Sequence, residues 1–211
     1  MFILLCAALV QDVKKEDHPW AAFKAGSWAK LESKVEMEGM DMPATSQTTT
    51  VKEVTDDFVV IVVDMSGYPM EQKIPLKGEG NETAKDEFVD KGTETVAVAG
   101  KTFTCQVKEF AKDGTTVTTW TCADAPGGMV KSVSKTGDAE YATVLDKLDE
   151  KVKVGGKEIV CWVWKTTGPG SESTLWYSRE VPGHTVKMVS VSDAGGTKVT
   201  STQTLVEFEV K

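Results

Sequence analysis

Arginine is nearly absent from this chain: of its 24 basic residues, only Arg179 carries a guanidinium. Planar, bidentate clamps for phosphate or carboxylate are therefore scarce. The 32 acidic residues bring the formal charge to −8, so the clustered basic surface that nucleic acid requires is missing as well. Histidine is too rare for the chemistry it usually carries. With only His18 and His184 present, a His-based triad and a zinc site with several His ligands are both nearly excluded. The four cysteines show no CxxC spacing, and AGK at 99–101 and GGK at 155–157 lack the other residues of a phosphate loop. Carboxylates are numerous, but no pattern pairs two of them as acid and base; they read as solvated strand edges that discourage edge-to-edge pairing. The expectation is a protein that is not an enzyme and carries no cofactor. Met37, Met40 and Met42 could interest soft Cu(I). At a hairpin tip they read more simply as loop and core residues, and no metal is expected.

Long hydrophobic runs are also lacking. The longest opens the sequence as MFILLCAALV and gives way abruptly to QDVKKEDHPW. Ten apolar residues fall short of the roughly 20 that span a bilayer, so no transmembrane span is expected. The run resembles the end of a secretory h-region, with no positive n-region before it, and suggests a signal sequence that starts upstream of Met1. Cys6 offers a lipidation alternative, against which stands Leu5, where a small residue belongs. Residues 1–19 are thus expected to be a signal-like segment and linker, and 20–211 a single β domain. The exported protein would lie in the periplasm or outer envelope.

What the sequence holds in quantity is short Val- and Thr-rich runs punctuated by Gly and Asp, the pattern of many strands. Leu31, Val35 and Met37 alternate with Lys30, Glu32, Lys34 and Glu36, which predicts a strand over 29–37 with one wet face. Strands are predicted at 46–55 and 58–64, the latter (FVVIVVD) apolar enough to be covered on both sides. A polar loop is expected at 78–87.

A shift of 56 residues then aligns 90–134 with 146–190 without a gap. More than a third of the 45 positions are identical, where chance would give about three. The chain is therefore mainly β, an antiparallel curved sheet or incomplete β-barrel built from a duplicated unit of roughly 56 residues. In the first copy Lys112-Asp113-Gly114-Thr115 predicts a type I′ hairpin. Its register makes paired residue numbers sum to 227 and sets Cys105 opposite Cys122, within reach of a cross-strand disulfide in an oxidising compartment. Two buried free thiols are the alternative. Cys161 matches Cys105, but Ser178 stands in place of Cys122, so Cys161 should be a lone buried thiol.

Comparing the copies separates what the fold needs from what one copy adds. Phe103, Cys105, Val107 and Trp120 match Ile159, Cys161, Val163 and Trp176, a shared core face. On the opposite face the first copy carries Thr104, Gln106, Lys108, Thr119 and Thr121, whereas the second carries Val160, Trp162, Trp164, Leu175 and Tyr177. The same register sets Trp162 across from Tyr177 and Trp164 across from Leu175. Such a patch must be covered, either by the chain's own Trp20, Phe23 and Trp28 segment or by a hydrophobic ligand or partner.

The repeated pattern V-x-V-x-G, then C, then Trp with Thr-Cys or Tyr-Ser, then P-G-x-x-V-K stands at Val96 to Lys131 and again at Val152 to Lys187. It resembles bacterial exported proteins of unknown function, and the opening HPWAAFKAGSWAKLE is similar to the segment that begins many of them. The resemblance implies a half-barrel like that of the outer-membrane lipoprotein carriers, which hold acyl chains in the concavity of the sheet. On that basis the chain is expected to be a non-enzymatic envelope protein that binds a lipid, acyl chain or protein partner through Trp162, Trp164, Leu175 and Tyr177. A structural or scaffold protein without a ligand is the alternative.

Overall fold

The computed structural model describes residues 15–37, 40–76 and 88–211. In chain order the strands are β1 (Trp28–Met37), β2 (Met40–Asp41), β3 (Thr45–Val54), β4 (Phe58–Met65), β5 (Tyr68–Pro75), β6 (Phe88–Val98) and β7 (Lys101–Lys112). They continue as β8 (Thr115–Thr121), β9 (Met129–Thr136), β10 (Ala139–Val154), β11 (Lys157–Gly168), β12 (Ser171–Tyr177), β13 (Thr185–Ala194) and β14 (Thr197–Glu209). Thirteen form one antiparallel sheet in the order β5-β4-β3-β1-β14-β13-β12-β11-β10-β9-β8-β7-β6, and β2 folds back on β1. The sheet is open and curled, an incomplete barrel.

The strands expected from the pattern of Val, Thr and aromatic residues are present, and β2 and β5 join them where no strand was expected. β1, β3 and β4 match the expected strands to within one residue, and Val59, Val60 and Ile61 in succession are buried, as a strand covered on both faces requires. The loop expected at 78–87 lies outside the described residues. The duplicated units occupy eight successive strands, β6–β9 and β10–β13. Asp113 and Gly114 have φ of 50° and 75°, both positive as a type I′ turn demands. Lys112 pairs with Thr115, so the register is the one the hairpin sequence predicts.

That register holds only as far as Gln106 and Thr121, which corrects the disulfide expectation. Cys105 and Cys122 are buried free thiols. The reason is local. Cys122 lies just past the end of β8, and its N–H donates to the Gly128 carbonyl at 3.0 Å within the Pro-Gly turn. Burial together with the neighbouring Cys122 raises the pKa of Cys105. Cys161 is the isolated buried thiol expected, pushed up to about 11 chiefly by burial.

Three clusters make up the core. One gathers Val98, Phe103, Cys105, Cys122, Ala125, Val130 and Leu145; another Ala29, Val154, Ile159, Cys161, Val181, Val186 and Leu205. The third packs Ala21 and Phe23 of the N-terminal segment on Val51, Val59, Ile61 and Val63. Trp20 packs against both of the last two, so it joins the β3–β4 hairpin to the second copy. The lysine of each Pro-Gly-x-x-Val-Lys motif lies over the tryptophan of its own copy: Lys131 is 4.5 Å from the Trp120 ring and Lys187 is 5.0 Å from that of Trp176. A cation over an indole face is favourable in each unit, which accounts for their appearance in both.

Candidate hydrophobic binding face

Alternation along β11 sends Cys161 and Val163 to the buried face, and Trp162 and Trp164 to the other. The observed register pairs Trp162 with Tyr177 and Trp164 with Leu175, so all four predicted site residues come together, each half-buried. The rings of Trp162 and Tyr177 stack with centroids 5.5 Å apart and planes 14° from parallel. The Arg179 guanidinium lies 5.5 Å from the Trp162 ring, where the negative face of the indole attracts it.

The patch is larger than the hairpin from which it was read. Leu145 of β10 pairs with Trp164, and Met188 of β13 pairs with Leu175. One apolar row therefore runs Leu145, Trp164, Leu175, Met188 across four strands, with Leu145, 1% exposed, its buried end in the first copy's core cluster. The corresponding row of the first copy is Lys108, Thr119, Ser132, also in register. The signal for Met188 was present in the aligned copies, since it stands opposite Ser132. Leu145 falls one position ahead of the aligned segment and carried no such mark. Trp162 and Trp164 also pack against the cluster around Phe103 and Leu145, so the second copy's aromatic face leans on the first copy's core.

The N-terminal segment covers one end of this face. Phe23 lies edge-on to His184 at 5.7 Å, His184 edge-on to Tyr177 at 4.9 Å, and Tyr177 stacks on Trp162. Asp17 ties the segment to Arg179 at 2.8 Å, and the Pro19 carbonyl accepts from the Gly183 N–H at 2.8 Å. Of the three residues expected as a cover, Phe23 thus reaches the Tyr177 corner through His184, and Trp20 packs instead against Gly183 and two core clusters. Trp28 does neither: it sits on β1, its indole N–H donating to Glu209 at 3.1 Å.

His184 is the residue to which sequence reasoning assigned no role. The two Pro-Gly turns share one hydrogen-bond pattern, Cys122 to Gly128 and Gly128 to Ala125 matching Ser178 to His184 and His184 to Val181. Where the first copy has Gly128 at φ 71°, the second holds His184 at φ 59°. A side chain in this left-handed region costs roughly 1–2 kcal/mol. The position is offset by what the imidazole does there. It is 1% exposed, and its Nδ1 shares a 2.5 Å hydrogen bond with the Tyr177 hydroxyl. Its Nε2 has no partner among the described residues. Burial first, then the nearby Arg179 and His18 charges, hold it down to about 4, with Asp17 opposing. It is a neutral imidazole that fixes the orientation of Tyr177 at the edge of the patch.

Several solved structures are similar to this chain. A LolA superfamily protein from Nitrosomonas europaea is 7% identical with a TM-score of 0.36, over 95% of this chain and 92% of that one. A DUF1329 family protein from Desulfovibrio piger is 10% identical (TM-score 0.33; 89% and 86% covered). The hypothetical lipoprotein YmcC of Escherichia coli K12 is 12% identical (TM-score 0.30; 87% and 90% covered). No protein-family profile and no curated protein matches the sequence. Among the described residues, no helix is long and apolar enough to cross a membrane.

Proposed function

We propose that this is an exported cell-envelope protein that binds a hydrophobic ligand, a lipid or acyl chain, on the face formed by Trp162, Trp164, Leu175 and Tyr177, and that it acts by binding rather than by catalysis. The observation that carries this reading is the contrast between two copies of one unit. The first copy folds with Lys108, Thr119 and Ser132 in a row where the second has Trp164, Leu175 and Met188. The architecture therefore does not demand an apolar row there, and large half-exposed aromatic surface is otherwise unfavourable. The N-terminal segment reaches only the Tyr177 corner, through Phe23 and His184.

A second reading, a scaffold protein with no ligand, draws on the packing of Trp162 and Trp164 against the Phe103 cluster. Titration with a monoacylglycerol below its micellar concentration separates the two. Binding at this face shifts tryptophan emission to the blue and saturates. Emission unchanged at the highest concentration favours the scaffold.

A further inference from the structure

We infer that the ligand is an uncharged amphiphile, its chain lying on the row of Trp164, Leu175 and Met188 and its polar head on a belt of hydroxyl side chains beside that row. This rests on the binding reading above and specifies its ligand. The belt follows from the register. Ser132 of β9 pairs with Thr143 of β10, Thr143 with Thr166 of β11, Thr166 with Ser173 of β12, Ser173 with Ser190 of β13, and Ser190 with Ser201 of β14. Each lies two residues along its strand from the apolar row or its continuation, hence on the same face. Six strands thus present one hydroxyl each, a belt roughly 24 Å long at about 4.8 Å per strand. Thr143 and Thr166 are close enough to share a hydrogen bond at 3.0 Å.

The belt itself is free of charge. On its face, the belt and the positions two residues to either side of it on β9 to β14 carry no Lys, Arg, Asp or Glu, and Lys131, Lys165, Glu172, Lys187 and Lys198 alternate onto the opposite face. The charges that share this face lie away from the belt: Glu158, Lys153 and Lys151 towards the far end of β10 and β11, Lys108 two strands beyond Ser132, and Arg179 over Trp162. A carboxylate or phosphate head seated on the belt would find no counter-ion along it, and desolvating it against hydroxyls alone is unfavourable. A neutral hydroxylated or ester head loses little on transfer, because each Ser or Thr offers one donor and two acceptors in exchange for water. The Trp164 row beside it accepts the chain at the usual gain for buried apolar area.

The test uses two probes with the same chain, monolaurin and dodecanoate, each below its micellar concentration at pH 8, titrated into the whole protein by calorimetry and tryptophan emission. Monolaurin should bind at least about tenfold more tightly, as two or three hydrogen bonds of ordinary net strength would give. In Thr166→Val/Ser190→Ala, whose circular dichroism confirms folding, that preference should fall to near parity while dodecanoate affinity is unchanged. Equal binding of both probes by the wild type, tighter binding of dodecanoate, or a preference that survives the double substitution overturns the neutral-head inference and leaves hydrophobic binding standing. Binding of neither probe overturns both.

Discussion

Gly183→Ala should destabilise the protein by about 3 kcal/mol, and Gly127→Ala, the same substitution in the sister copy, by only about 1 kcal/mol. Both glycines hold left-handed backbone, φ 80° and 71°, so each alanine carries the same conformational cost. Only Gly183 has a ring over it. A Cβ there would meet Trp20 at 2.6 and 2.7 Å, whereas nothing lies within 4 Å of one at Gly127. Trp20 must then move, and with it the contacts it makes in two core clusters. Overpacking of this kind typically adds 1–3 kcal/mol. Urea midpoints of the two variants against the wild type measure the difference. Equal losses would mean that the N-terminal segment is not seated on the second Pro-Gly turn.

Acid should weaken the fold through His184. An imidazole that titrates at 6.5 when unfolded and at about 4 when folded binds its proton more readily in the unfolded state. Its contribution is therefore unchanged above pH 6.5, is lost progressively as pH falls from 6.5 to 4, and is fully lost below. At about 1.4 kcal/mol per pH unit, the gap corresponds to about 3 kcal/mol. His18 is also lowered by burial and accepts the Trp20 and Ala21 N–H groups on Nδ1 at 3.2 and 3.0 Å, so it adds in the same direction. Carboxylates contribute to any acid transition, and the comparison is accordingly with His184→Asn, since Asn tolerates positive φ. Chemical denaturation at pH 7 and pH 4 should show the wild type losing about 3 kcal/mol more than this variant. Parallel curves would contradict the neutral, buried assignment.

Much of this was legible in the chain because duplication supplied an internal comparison. The Asp113-Gly114 turn set the register of its hairpin, and the 56-residue shift carried that register to Trp162 and Tyr177, which stack as expected. The disulfide failed because pairing was extended one step past the end of β8, where the Pro-Gly turn already claims the Cys122 backbone. Whether a ladder ends at 121 or 122 depends on tertiary hydrogen bonding, which alternation does not encode. Met188 was visible opposite Ser132 but belongs to a third strand, and Leu145 joins the row only because β10 has not yet bulged there; its register shifts just after, between Leu145 and Lys147. His184 was visible as a histidine replacing a glycine. That it is buried, and bonded to Tyr177, follows from the N-terminal segment folding over it, a contact between residues more than 150 positions apart in the sequence.

The claim on which the rest depends is that the second copy's apolar row is there for a ligand rather than for the fold. Exchanging it for the first copy's residues tests that directly: Trp164→Lys, Leu175→Thr and Met188→Ser in one chain, titrated with monolaurin beside the wild type. The account predicts a variant that keeps its β-sheet circular dichroism, as the first copy does with those residues, and shows no saturable change in tryptophan emission where the wild type does. A variant that binds as the wild type does, or one that cannot fold, would contradict it.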